Sequence, residues 1–583
     1  MKNIITKKYV YLFFFLLSLV YVALLLGMIV IHYQELTSIP NVNIYDAMQH
    51  YNWKYWIEES DSFKTTFSIF LQFLDIHYLH SRGIVPIIIN ISFISLLALL
   101  IATIIKKLFP SKGNHSKSIR NILIFATIII LFSALQDSTI IWMFNQQLFA
   151  AYFFPLLSYY LLVKYSITSD DRYFYALLLS GLMIIVSTPY YLSALIVLLL
   201  MGFAFKITWF KNLLISTLIF LSFFLYYDTM VNNIAVVHML NGEMATKLFL
   251  YILNYLGSVF VYVSFEPCCA TSSVIGGLFI VGTFIFFSSL VLRKKVTEPF
   301  YWVILAFLFF YILTAFASLE VVNNKHYLLF NNRYITPSLI AWSLIIILYI
   351  HHFNTQKVIQ RRVMTLFLTL IASLFFYQVF TYQEFKKDTS KLKLAAMLLK
   401  LDIDDPRSMK IFTRSVYIMM YIPSKETDEK MSIFTIKDIK NKLIQNRVQL
   451  LKEKNPFSFI DKNNRKMLAE NSLDTSNSIQ VLKGGLDKII VTDKKKNIHQ
   501  LLGWVYNTKE RKVPDWLMVL DEHNNLLGYI ITGISRKDVE IQYGKDALYG
   551  GFSGYIQYSN TPTTLIMVNA LKSEMFKEKY PIE

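Results

Sequence analysis

The chain is nearly without cysteine: two in 583 residues, adjacent at Cys268 and Cys269. One neighbouring pair builds neither a disulfide framework nor a structural zinc site, and a bridge between adjacent residues is strained. Two small unpaired residues are the expected reading. Charge is scarce too, at 16% of residues against 55% hydrophobic. No nucleic-acid-binding motif accompanies the net charge of +18, and nucleic acid is not an expected partner. No internal repeat or low-complexity segment occurs. Together with the lack of mid-span charges, this counts against a transporter. Segments assigned below to the outer face hold no Asn-x-Ser/Thr acceptor, since Asn560-Thr-Pro fails the pattern, so nothing there points to eukaryotic glycosylation.

What is present is apolar sequence in long runs, with mean hydropathy +0.44 over the chain. Charges are sparse as far as Tyr382 and dense beyond it. The first part is material for a bilayer and the second for water. The basic residues of the first part flank apolar runs: Lys7 and Lys8, Lys106 and Lys107, Arg293 to Lys295, Arg361 and Arg362. Such clusters favour the cytoplasmic side.

Starting from an anchor at Tyr9–Ile31, spans follow at Ile84–Ile105, Asn121–Leu135, Trp142–Val163, Tyr173–Val186, Tyr190–Phe205, Leu213–Tyr227, Ser273–Leu292, Tyr301–Ser318, Leu339–His351 and Leu366–Tyr382. Ser187-Thr-Pro189 separates two of them, because proline ends or kinks a helix. Thr246–Ser264, interrupted by Gly257, reads as a re-entrant or interfacial helix. The expected fold is therefore a polytopic α-helical membrane protein of about eleven spans, N-terminus in and C-terminus out.

Three parts are expected: a membrane domain over 1–382, a mixed α/β linker region over 383–475, and a β domain over 476–583. Glu384–Asp402 has helical spacing. Short β-type runs lie at Lys488–Thr492, Gln500–Tyr506, Leu517–Leu520, Leu527–Thr532, Gly554–Tyr558 and Thr564–Val568. Asp521–Asn525 reads as a hairpin turn, and a small β-sandwich is the expected arrangement.

Three polar stretches are predicted to share the outer face. The first is the loop 33–83, with Asp46, Glu58, Glu59, Asp61, Asp75, His80 and Arg82 among interfacial aromatics. It suits a membrane-surface reaction, and equally an amphipathic connector lying on the bilayer; the run Glu58, Glu59 and Asp61 reads as a solvated face. The second is Asn145, Gln146 and Gln147, amides within an apolar segment, which either hydrogen-bond another helix or bind a sugar. The third is Lys325, His326, Arg333 and Tyr334, suited to a phosphate or to anchoring among lipid headgroups. No metal-ligand constellation is evident; an acidic loop can take a divalent cation, but nothing in it demands one.

His80-Ser-Arg-Gly-Ile-Val-Pro86, Trp142-Met-Phe-Asn-Gln-Gln147 and Arg333-Tyr-Ile-Thr-Pro-Ser338 carry a resemblance. The layout resembles the GT-C superfamily of integral membrane glycosyltransferases, and more narrowly a group of bacterial GT-C-like proteins with a C-terminal extracytoplasmic β-domain. Leu502-Gly-Trp504, Arg536-Lys-Asp538 and Gly551-Phe552 are similar to that β-domain. The chain departs from the group at His80-Ser81-Arg82, where Glu-His-Arg is frequent.

The resemblance implies transfer of a sugar from a polyprenyl-phosphate donor to a surface glycan at the outer face of a bacterial inner membrane. Asp46, and after it Asp75, would serve as general base. Arg82 and Arg333 would hold the leaving phosphate, with His80, Lys325, His326 and Tyr334 beside them and Gln146 and Gln147 toward the sugar. A polysaccharide polymerase or ligase, a non-enzymatic membrane transporter and a glycan-binding membrane protein are the competing readings.

Overall fold

A computed structural model of the chain describes residues 84–110, 114–133, 146–187, 190–225, 242–259, 270–295, 297–317, 335–353, 481–494, 497–514, 516–558, 561–569 and 574–579. It also describes isolated helical positions within 12–26 and 67–74 and at 365 and 369. The chain divides into two compact units, Met1–Phe380 and Thr381–Glu583.

The first unit is helical. Its described helices are α1 (Ile84–Leu108), α2 (Asn114–Leu131), α3 (Gln146–Thr168), α4 (Asp171–Ser187), α5 (Tyr191–Ala204), α6 (Trp209–Leu225), α7 (Gly242–Leu256), α8 (Ala270–Leu292), α9 (Phe300–Ala317) and α10 (Ile335–His352). Residues 87–108, 273–292 and 335–352 are long and apolar enough to cross a membrane. Helices of 13 to 17 residues, at 119–131, 191–204, 209–225 and 300–316, are apolar but shorter. The break between α4 and α5 falls where Ser187-Thr-Pro189 predicts it.

The unit is built for an apolar solvent. Phe224 is 83% exposed, Phe220 76% and Leu99 65%, whereas Ser158, Ser273, Thr314 and Ser338 are fully buried. In lipid, apolar side chains gain nothing by leaving the surface, and hydroxyls and small residues hold helices together. Ser158 accordingly donates to Ser180 across α3 and α4, and Ser273 to Asn254 Oδ1 across α8 and α7. These are features of an integral membrane protein.

Helix α7 explains the interrupted stretch. Its 15 residues span about 22 Å, short of the ~30 Å hydrocarbon layer. It packs on α8 with almost no space between backbones: a Cβ on Gly257 would collide with the Ser273 carbonyl, and one on Gly277 with the Leu253 carbonyl. Glycine at both positions permits this approach. Helix α10 lies at the centre, buried along nearly its whole length.

The described part of the second unit is one antiparallel sheet, and the expected sandwich does not form. Its strands are β1 (Leu482–Asp493), β2 (Ile498–Asn507), β3 (Trp516–Leu520), β4 (Leu526–Ile534), β5 (Gly551–Gln557), β6 (Thr564–Asn569) and β7 (Glu574–Lys579), ordered β1-β2-β5-β4-β3-β6-β7. Register shifts after Leu486, Val491, Val519 and Thr532 mark bulges, which bend a sheet and let it coil. The coil brings the outer strands together: Gly484 of β1 sits against the Phe576 ring of β7. The result is a nearly closed barrel filled by Leu482, Leu501, Val505, Val519, Ile530, Met567 and their neighbours. A short helix, α11 (Lys537–Tyr543), connects β4 to β5. The hairpin at Asp521–Asn525 forms between β3 and β4, with Asn524 in the left-handed region at φ 63°.

Candidate functional site

Contacts inside the helical unit sort its helix ends into two groups. At one end, Lys164 of α3 lies beside Lys107 of α1, and Phe205 packs against Trp302 of α9. His351 of α10 pairs through Nδ1 with the Tyr301 hydroxyl at 2.9 Å and stacks edge-on with Phe109. Lys211 of α6 donates to the Tyr165 hydroxyl at 2.7 Å and pairs with Asp171. Lys106, Lys107, Lys164 and Lys211 are thus gathered at this end.

The other end holds a buried hydroxyl chain. The Tyr152 and Tyr255 hydroxyls are 2.9 Å apart, and Tyr255 lies 3.4 Å from Thr314 Oγ1. Thr314 donates its one proton to the Tyr311 carbonyl at 2.7 Å, so it must accept from Tyr255, which in turn accepts from Tyr152. The Tyr311 hydroxyl donates to the Tyr255 and Leu256 carbonyls at 3.0 and 3.2 Å, and Ser338 Oγ donates to Leu256 at 3.1 Å. These last carbonyls of α7 have no partner within their own helix, so side chains from α9 and α10 cap it. The bonds fix three things in one place: the start of α3, the end of α7 and the start of α10. Tyr152 to Lys164 is 12 residues, about 18 Å along α3, which separates this end from the basic one.

Two of the predicted polar stretches lead into this junction. Gln146 and Gln147 form the opening of α3, at a helix end rather than within a span, and their side chains lie outside the described residues. Arg333 and Tyr334 directly precede α10 but lie outside the described residues, as do Lys325, His326, Asp46, Asp75, His80 and Arg82. No protein-family model, curated protein or solved structure matches the chain. Among the described residues no group of three His, Cys, Asp or Glu side chains is placed to hold a metal ion.

The hydroxyl chain itself has no acid or base; it holds α3, α7, α9 and α10 together at this end. Sequence reading missed Tyr152, Tyr255, Tyr311 and Thr314, because hydroxyls in apolar runs are common and their partners here lie 55 to 103 residues apart or one turn away.

The sheet offers two further groupings. Arg536 binds Asp487 of β1 and Asp538 of α11. Its hydrogen bonds hold the Asp538 carboxyl down to about 2 and raise the Arg536 guanidinium further. This pair of ion bonds ties α11 to the outer strand. On the sheet's outer side Trp504 and Tyr506 meet the Tyr543 ring at 5.5 and 5.6 Å, a small aromatic layer under α11.

Proposed function

We propose that the chain is a GT-C-like membrane glycosyltransferase. It moves a sugar from a polyprenyl-phosphate donor to a cell-surface glycan on the extracytoplasmic face of a bacterial inner membrane. The observation that supports this reading is the hydroxyl-bonded junction. It draws the opening of α3, which carries Gln146 and Gln147, to the opening of α10, which follows Arg333 and Tyr334. The gathering of lysines at the opposite end supports that end as cytoplasmic and the junction as the outer end. About eleven spans, an N-terminus inside and a C-terminus outside complete the topology.

In this reading Asp46 takes the proton of the acceptor hydroxyl as the sugar's anomeric carbon leaves phosphate, with Asp75 the second candidate. Arg82 and Arg333, with His80, Lys325, His326 and Tyr334, stabilise the phosphate that departs. Asp46→Ala and Arg333→Ala in cells test it. Each is expected to remove one sugar from the surface glycan while the protein is still made and inserted. A shortened glycan of unchanged composition points instead to a polymerase, and an unchanged glycan contradicts both.

A further inference from the structure

We propose that the start of α10, with the Thr336 hydroxyl, is a seat for a phosphate group. Thr336 is 2% exposed, and its Oγ1 is buried with no hydrogen-bond partner among the described residues. A buried hydroxyl left unpaired is costly, so this donor calls for an acceptor. Other hydroxyls in these helices solve the problem by donating to the carbonyl four residues back: Ser92, Ser95, Thr103, Thr127 and Ser343. Thr336 cannot, because α10 begins at Ile335 and no helical carbonyl lies four residues before it. The C-terminal carbonyls of α7 are bonded by Tyr311 and Ser338, and Thr336 does not reach them.

What surrounds that hydroxyl is suited to an anion. In a helix every Cα–Cβ bond tilts toward the N-terminus, so a first-turn hydroxyl is carried toward the helix's own N-terminal N–H groups. There it joins the Ile335 and Thr336 N–H groups, which the helix leaves without acceptors, while Pro337 has no N–H to offer. The 18-residue helix adds the positive end of its dipole. Among the described residues the starts of α3 and α10 and the end of α7 contribute no carboxylate to repel an anion. Donors without acceptors select phosphate oxygens over a cation or a neutral sugar. The phosphate belongs either to an isoprenoid phosphate or to a glycerophospholipid headgroup. The seat depends on the transferase reading only for the first of these sources.

The test uses the full chain in phosphate-free maltoside micelles, with farnesyl phosphate as probe and farnesol as control. Wild type is expected to bind farnesyl phosphate and to be stabilised by it, with farnesol much weaker. Thr336→Val keeps the shape and removes the donor, and should weaken farnesyl phosphate binding about tenfold. Thr336→Ser should bind as wild type. Thr336→Ala serves if the valine variant is not recovered folded.

Equal binding of farnesyl phosphate and farnesol by wild type overturns the seat, as does undiminished binding by both the valine and alanine variants. Repeating the titration in phosphatidylglycerol nanodiscs separates the sources: unchanged affinity assigns the seat to an isoprenoid phosphate, and lost binding assigns it to a lipid headgroup. Either result keeps the seat. A seat that passes these tests in a chain whose deletion leaves the surface glycan intact contradicts the transferase alone. A glycan that changes on deletion while Thr336→Val binds normally contradicts the seat alone.

Discussion

In the helical unit the exposed residues include Phe220, Phe224 and Leu179, and the buried ones include Ser158, Thr314 and Ser338. In the sheet the order is reversed: Leu501, Val505 and Met567 are fully buried, while Lys483, Lys488 and Lys577 are exposed. One chain therefore carries two solutions to the same problem. In water, stability comes from hiding apolar area, and specificity from where the charges remain. In lipid that drive is absent, and close backbone approach and internal hydrogen bonds take its place. The hydroxyl junction of α3, α7, α9 and α10 is thus the helical unit's counterpart of the sheet's aliphatic core.

The comparison can be broken most directly by separating the regions. A fragment covering 476–583 is expected to be soluble, monomeric and cooperatively folded without the helices, as its filled interior suggests. Aggregation of that fragment, or a need for detergent, would show that the sheet lacks a core of its own. The next largest effect lies at the α7–α8 contact. Gly257→Ala should force the two backbones apart and cost about 3 kcal/mol, read as a large drop in melting temperature in detergent. A neutral result would mean that the helices are not held this closely.

Tyr255→Phe deletes one hydroxyl that both accepts and donates, and should cost about 1 kcal/mol with the fold retained. Phe310→Leu, an apolar change at the same packing layer, should cost no more than a similar amount. The sheet should respond to pH through His499, which stacks on Tyr558 and pairs with its hydroxyl at 2.9 Å. Burial pushes the His499 imidazole below its ordinary value. Its folded form resists protonation more than its unfolded form does, so its contribution is intact above about pH 6.5 and is lost as pH falls below that. A melting series on the 476–583 fragment from about pH 7 to about pH 5 should fall slightly, and His499→Gln should flatten it.

Much of this was legible in the residues. Ser187-Thr-Pro189 announced the α4–α5 break, and Gly257 the end of α7. Six of the seven strands stood out as β-branched or aromatic runs. The seventh did not, because Glu574-Met-Phe-Lys-Glu-Lys579 is an outer strand whose exposed Lys577 and Lys579 mask its alternation. Whether the strands form a sandwich or a coil depends on bulges; Gly533, at φ 103°, marked the one after Thr532, but those after Leu486 and Val491 fall on Asp487 and Thr492, which signal no bulge in sequence. The junction was legible only as its two flanking motifs. That Tyr152 meets Tyr255 across 103 residues is a property of helix packing, which no local pattern encodes. The unpaired hydroxyl of Thr336 stood in plain view within Arg333-Tyr-Ile-Thr-Pro-Ser338, yet its burial is known only from the fold.

The central claim is the proposed sugar transfer at the hydroxyl-bonded end of the helical unit, and the sugar composition of the surface polysaccharide tests it most directly. A deletion strain complemented with wild type, Asp46→Ala or Arg333→Ala should regain the missing sugar only with wild type, at unchanged polymer length. Restoration by both variants, with each protein present in the membrane, would contradict the account.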